Sequence, residues 1–160
     1  MAVDMFLKVD GIKGEAQDAK HKGDIDVLAW SWGATQSATT HMGGGGGSGK
    51  ASFQDMHITK YVDSATHNLL KHTSTGKHIK EALLTVRKAG ETPLEYIKIK
   101  MTDCLISSIS TGGSGGEDRL TENISLNFAE YEFVYTPQKA DGSGDSALPF
   151  KFNIATNEVK

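Results

Sequence analysis

Residues 44–50 hold the strongest candidate for chemistry in this chain. They match most of the pattern G-x-x-x-x-G-K-S/T, in which backbone N–H groups wrap phosphates, the lysine reaches the outer phosphates and the next hydroxyl holds magnesium. Here Ala51 follows Lys50, so the magnesium ligand is missing. The segment 51–55 reads as a strand where the motif requires a helix, and five consecutive glycines match such a pattern by composition alone. A second glycine-rich segment, 112–116, leads into Glu117, Asp118 and Arg119 without the G-x-G-x-x-G frame and following helix of a dinucleotide site. Its glycines allow a sharp reversal, and Arg119 is expected to pair with a nearby carboxylate.

The remaining reactive side chains are scattered. His67 and His72 are five residues apart, which does not set them on one helix face as a spacing of four would. No histidine forms a zinc-ligand spacing with the single cysteine, Cys104. Cys104 lies in an apolar stretch with Leu105 and Ile106 and reads as a small buried side chain. Serines are plentiful, but no G-x-S-x-G elbow is present. Glu122, Glu130 and Glu132 read as a solvated strand face rather than as catalytic carboxylates. Asn123-Ile124-Ser125 matches a glycosylation acceptor but lies within a strand pattern. Trp30 and Trp32, on one face with Leu28, read as core rather than as a stacking platform. The expectation is a protein without catalytic residues, metal or cofactor.

Composition agrees with a binding or structural role. The 160 residues predict one domain, residues 1–160, and 38% apolar residues suffice for one compact core. Seventeen basic and 20 acidic residues are mixed along the chain, without the basic cluster of a nucleic-acid binder. No run approaches the roughly 18 apolar residues of a membrane span, so no membrane insertion is expected. The N-terminus lacks a basic region followed by an apolar stretch, so no cleaved signal peptide is expected.

The elements that must position any site are strands. Apolar and polar residues alternate over most of the length. Strands are predicted at 3–9, 25–34, 51–61, 79–88, 94–101, 105–111, 120–136 and 150–154. On the first, Val3, Met5, Leu7 and Val9 share a face. On the second, Leu28, Trp30 and Trp32 form a bulky face and Val27, Ala29, Ser31 and Gly33 a small one. In the strand at 120–136 the apolar phase shifts from Ile124, Leu126 and Phe128 to Tyr131, Phe133 and Tyr135, which predicts a bulge or bend near Ala129-Glu130. One helix is predicted over 64–74, capped by Asp63 or Ser64 and closed by Gly76, with Ala65, Leu69 and His72 on one side. The glycines between 41 and 50 predict a long flexible loop. The fold class is all-β with one short α-helix, an antiparallel barrel of two packed sheets.

Several segments resemble the Hcp family. They are Met1 to Phe6, Ile25 to Gly33, His41 to Gly46, Leu84 to Gly90, and Ser107 through Ala129 with the block Ser110-Thr111-Gly112-Gly113-Ser114-Gly115-Gly116-Glu117-Asp118-Arg119. They cover about half the chain and keep the family's order; between 63 and 82, and after 143, the resemblance is weaker. The resemblance implies a β-barrel flanked by a short helix that assembles as a hexameric ring. Such rings stack into the inner tube of a type VI secretion machine, inside a contractile sheath and behind a spike protein. The tube assembles in the bacterial cytoplasm, is expelled without a cleaved signal peptide, and can carry effector proteins in its lumen. The family domain catalyses no reaction, and 160 residues leave no room for the added C-terminal toxin domain of some relatives.

Candidate positions follow from that resemblance. Ring stacking is expected to use His41, Met42, Gly43, Gly44, Gly45, Gly46, Gly47, Ser48, Gly49 and Lys50, ordered only against the next ring, and the turn at Ala89 and Gly90. Ser31, on the small face of the second strand, is the candidate for the effector-lined lumen; a protomer interface or the outer wall competes for it. Two other classes stand beside the tube subunit: a nucleotide-binding enzyme using the polyglycine loop, and a monomeric small-ligand-binding barrel with an exposed Trp30 or Trp32.

Overall fold

Alternating apolar residues build a sheet, and in this chain the sheet closes on itself. The structure is a computed structural model that describes residues 2–37 and 49–160. Its strands are β1 (Val3–Val9), β2 (Ile25–Ser31), β3 (Ala34–Thr35), β4 (Ser52–Phe53), β5 (Met56–Tyr61), β6 (Ile79–Lys88), β7 (Leu94–Thr111), β8 (Thr121–Tyr135), β9 (Leu148–Asn153) and β10 (Glu158–Val159), with one helix, α1 (Thr66–Thr75). Strands β1, β2, β5, β8, β7 and β6 follow one another around a closed antiparallel barrel. Strands β9 and β10 continue the ladder outward from β8. The expected all-β barrel with one helix is therefore present, and its two walls are parts of one continuous ladder.

Antiparallel order gives the barrel two distinct ends. The connection 10–24, the segment 62–78 containing α1, and the glycine-rich loop 112–120 share one end, here the helix end. Residues 32–37 and 49–55, the turn 89–93 and the loop 136–147 share the other, the hairpin end.

Phase changes decide which residues reach the core. On β7 the buried set changes from Ile99 and Met101 to Cys104 and Ile106; on β8 it changes from Phe128 to Tyr131. Pairing is in the same register on both sides of the change, Thr102 with Glu130 and Cys104 with Phe128, so neither strand gains a residue. Asp103 lies between, with φ of 55° in the left-handed region. The expected bend at Ala129-Glu130 is thus made with a kink in β7, and residues 94–111 form one strand rather than two.

A true bulge occurs in β2. Val27 pairs with Lys60, but Ala29 pairs with Thr59, leaving Leu28 extra. Val27 is consequently buried and Leu28 is 39% exposed, the reverse of the alternation expected from the sequence. Beyond the bulge the expectation holds: Trp30 and Trp32 pack against the core, and the Trp32 Nε1–H donates to the Gln54 carbonyl at 2.9 Å.

The helix begins two residues later than predicted. Ala65 occupies the N-cap without a side-chain cap, because the Asp63 carboxylate accepts the Ala65 N–H at 3.0 Å and Glu15 accepts that of Ser64. Gly76 ends it at φ 68°, donating to the His72 carbonyl. Ala65 and Leu69 are fully buried.

The barrel interior is filled. Leu7, Ile25, Met56, Leu84, Ile99, Met101 and Leu126 are completely buried, and six strands enclose less space than the eight that just fit a layer of side chains. Among the described residues the side chains fill the space that a monomeric ligand-binding barrel would need. Among the apolar residues sits one ion pair. Lys60 Nζ donates to Glu122 Oε2 at 2.6 Å, to Asp63 Oδ1 at 2.9 Å and to the Tyr61 carbonyl at 2.8 Å. Thr66 Oγ1 also donates to Glu122 Oε2 at 2.9 Å, tying α1 to β5 and β8. Glu122 is 1% exposed, so it is not on the solvated face expected from the sequence. Glu130, by contrast, reaches Lys151 on the outer surface.

A second polar cluster holds the connection 10–24 against the outside of β1, β6 and β7. Arg87 donates to Asp18 at 2.9 and 2.7 Å and to Asp4 at 3.1 Å. His21 stacks on Phe6 at 4.3 Å and lies between Asp24 (3.0 Å) and Glu95 (2.7 Å). Burial pushes the Glu95 carboxyl up, but its bonds to His21 and Lys98 outweigh this and hold it below its ordinary value. Gly14 makes the close approach possible, since a Cβ there would lie 2.6 Å from the Asp24 carbonyl oxygen.

Both polar clusters can be tested by their contribution to stability. Lys60→Met leaves Glu122 as an uncompensated buried charge and is expected to cost about 3–5 kcal/mol, whereas Lys60→Met with Glu122→Leu loses much less; urea denaturation of both variants checks the difference. The hydrogen bond from Arg87 holds the Asp18 carboxyl at about 2, below its ordinary 3.8. Its contribution to stability is therefore complete above about pH 4 and is lost as pH falls towards 2. Hydrogen exchange in residues 10–24 should rise over that window, and Asp18→Asn should remove the pH dependence.

Candidate functional site

The groups that could do covalent chemistry are placed for structure. Cys104 is fully buried and burial pushes its thiol up to about 12, so it remains protonated. His72 is buried in α1, its Nδ1 2.7 Å from the Asn68 carbonyl oxygen. His67, His57 and His78 are exposed. Among the described residues, no group of three or more His, Cys, Asp or Glu stands close enough to hold a metal ion. Lys50 is exposed and is followed by β4, so the helix needed by a phosphate loop does not stand there. Arg119 lies over the Tyr61 ring at 3.8 Å rather than against a carboxylate.

What the molecule presents is surface. Strand β8 leaves β5 at Leu126 and pairs with β9 from Glu130 onward. Tyr131, Phe133 and Tyr135 pair with Phe152, Phe150 and Leu148, so these six side chains share one face of the sheet. The inner part of that face is backed by Trp32, Phe53 and Phe128, with Trp32 edge-on to Tyr131 at 4.7 Å. Among the described residues the outer part has no such cover: Phe150 is 47% exposed, Leu148 59% and Val159 on β10 70%. Single exposed apolar residues need no explanation, but a contiguous aromatic and aliphatic face on an open sheet edge does. Sequence reading missed it, although the alternation Leu148, Phe150, Phe152 was its visible signal.

A second surface is polar and crosses four strands. Ser31 pairs with His57, His57 with Ser125, and Ser125 with Ser108. The next row is Ala29, Thr59, Asn123 and Ser110. Both rows point away from the barrel core, and Ser31 is exposed. Thr59 donates to Asn123 at 2.7 Å, Ser108 bonds Ser125, and Asp55 accepts from Ser107 at 2.6 Å and Asn127 at 2.9 Å. The result is a flat wall of small side chains whose polar groups are largely bonded to one another.

The stacking candidates lie at the hairpin end where they are described. Ala89 and Gly90 are exposed at the tip of the turn between β6 and β7. Gly49 and Lys50 are exposed, with the Gly49 N–H directed at the Ser37 carbonyl at 3.3 Å. His41, Met42, Gly43, Gly44, Gly45, Gly46, Gly47 and Ser48 lie outside the described residues.

Comparison with known proteins agrees with this architecture. Residues 6–135 match the family model described as type VI secretion system effector, Hcp. The chain is 55% identical over 159 residues to Protein hcp1 of Pseudomonas aeruginosa, covering 98% of each. It is similar to a structure of a type six secretion system protein, with a TM-score of 0.94 and 30% identity over 99% of this chain and 100% of that one. It also matches Hcp1 from Salmonella typhimurium, with a TM-score of 0.83 and 37% identity over 100% of both chains. A filled barrel, an open apolar sheet edge and an end-to-end match of this extent lead to one conclusion: the chain belongs to the Hcp family of type VI secretion system proteins.

Proposed function

We propose that this protein is the subunit of a type VI secretion tube, closing as hexameric rings that stack behind a spike protein and within a contractile sheath. The observation that carries this reading is the uncovered apolar face of β8, β9 and β10. A ring needs a surface on each subunit that its own fold leaves unsatisfied and a different surface on the neighbour to receive it. Burying a large apolar side chain contributes about 1.5–3 kcal/mol, so covering Leu148, Phe150 and Val159 supplies a substantial part of one interface. Assembly takes place in the cytoplasm, and the tube leaves the cell without a cleaved signal peptide. The role is structural; no reaction is assigned to the chain.

The polar wall carrying Ser31 is assigned to the lumen. Its small, mutually bonded side chains offer a passing or resident effector a smooth surface with few unpaired groups, which suits weak, reversible contact. Ala89 and Gly90 at the hairpin end, together with residues 41–50, are assigned to contact between successive rings.

Phe150→Glu places a charge in the proposed interface and is expected to convert rings to monomers with the barrel intact by circular dichroism. Rings that persist in this variant would remove the apolar face from the assembly. Ser31→Trp should preserve rings and reduce effector co-purification several-fold. Loss of rings would instead assign Ser31 to the protomer interface.

A further inference from the structure

The polar wall satisfies most of its own hydrogen bonds, and the exceptions lie side by side. Ser108 bonds Ser125, Thr59 donates to Asn123, and the Asp55 carboxylate is taken by Ser107 and Asn127. Ser31 and His57 are left over. They are directly opposed on β2 and β5, and both are exposed. Among the described residues neither side chain makes a hydrogen bond or an ion pair. Opposed residues of an antiparallel pair have Cβ atoms about 4.5–5.5 Å apart, so one partner group can touch both.

His57 stands in the middle of the wall. Its own row runs from Ser31 on β2 to Ser125 on β8 and Ser108 on β7, and the next row is Ala29, Thr59, Asn123 and Ser110. His57 is the one titratable side chain in the two rows. Along the same face, two residues before it, lies Asp55, which is turned to its two donors and forms no ion pair with His57 among the described residues. A serine hydroxyl can donate, and a protonated imidazole donates from both nitrogens. Two adjacent donors, one of them charged, match a carboxylate, which only accepts and offers two oxygens.

We infer that Ser31 and His57 together form the cargo contact of the wall and that they take a carboxylate-bearing segment of an effector protein. This rests on the tube reading above and deepens it by naming the chemistry of the contact. Histidine is the side chain whose ordinary range puts its change of charge between pH 5 and 8. The grip is therefore strongest in mild acid, where an imidazolium meets a carboxylate that is still ionised, and falls as the ring becomes neutral. A basic segment gains nothing there and is repelled in acid, so the contact selects cargo by charge. A ring repeats the site once per subunit, which multiplies a weak contact on a cargo with several carboxylates.

The test uses intact rings, checked by light scattering, with rhodamine-labelled decaglutamate and decalysine peptides as probes and fluorescence anisotropy as the readout. Decaglutamate should bind about fivefold or more tightly at about pH 5.5 than at about pH 8, the order of one exposed ion pair. Decalysine should show no such gain. His57→Gln should keep the ring mass and remove the difference, and Ser31→Ala should weaken decaglutamate at both pH values. His78→Gln alters an exposed histidine outside the wall. It controls for the general loss of negative charge in acid and should leave the difference intact. A difference that survives His57→Gln, one that His78→Gln removes equally, or tighter binding of decalysine in acid would each overturn the inference. Absence of rings in the unaltered protein would fail the tube reading itself, whereas rings that form but bind neither peptide fail the inference alone.

Discussion

Strand β8 is longer than the barrel needs, and most of the molecule's character follows from that. Its first half pairs with β5 and β7 and closes six strands into a cylinder. Its second half stays with β7 but exchanges β5 for β9, so the ladder opens there. The kink at Asp103 lets both β7 and β8 change phase together, turning Tyr131, Phe133 and Tyr135 onto the face that continues the core. The inner aromatic residues are covered by Trp32, Phe53 and Phe128, but the outer ones run beyond the chain's own elements. The apolar surface that cannot be buried by one copy is the surface available to bind another.

The closed half has the opposite consequence. A six-stranded barrel filled by Leu7, Ile25, Met56, Leu84 and their neighbours has no interior to offer a ligand. Function must therefore sit on the outside and at the ends. The Lys60–Glu122 pair locks α1 to the barrel and makes the helix end a fixed surface, while Arg87 and His21 fix the loop beside it. Rigid ends and a flat polar wall suit a repeating part in an assembly, where each copy must present the same geometry to its neighbours.

Much of the fold was legible in the sequence, and what was missed has identifiable causes. The apolar pattern located β1 and β6 to the residue, although β6 changes phase between Ile79 and Ala82. The bulge at Leu28 was invisible, since an inserted residue in a strand of apolar side chains leaves no compositional mark; it inverted the assignment of Val27 and Leu28. Asp103 gave only the weak hint that aspartate tolerates the left-handed region. Glu122 was read as solvated because of its charge, although it shares the phase of Ile124 and Leu126, just as Lys60 shares that of Met56 and Ile58. Phase outranked residue type at both positions, and the pairing of the two strands sets one charge against the other. The apolar face of β8 and β9 was missed, because the alternation of Leu148, Phe150 and Phe152 does not show in isolation which side of the strand lies exposed.

The most direct test of this account is the solution mass of the unaltered protein by light scattering, with negative-stain images of the same sample. The account predicts six times the chain mass and rings with a central hole. A protein that remains a monomer at high concentration, with Leu148, Phe150 and Val159 exposed to solvent, would contradict it.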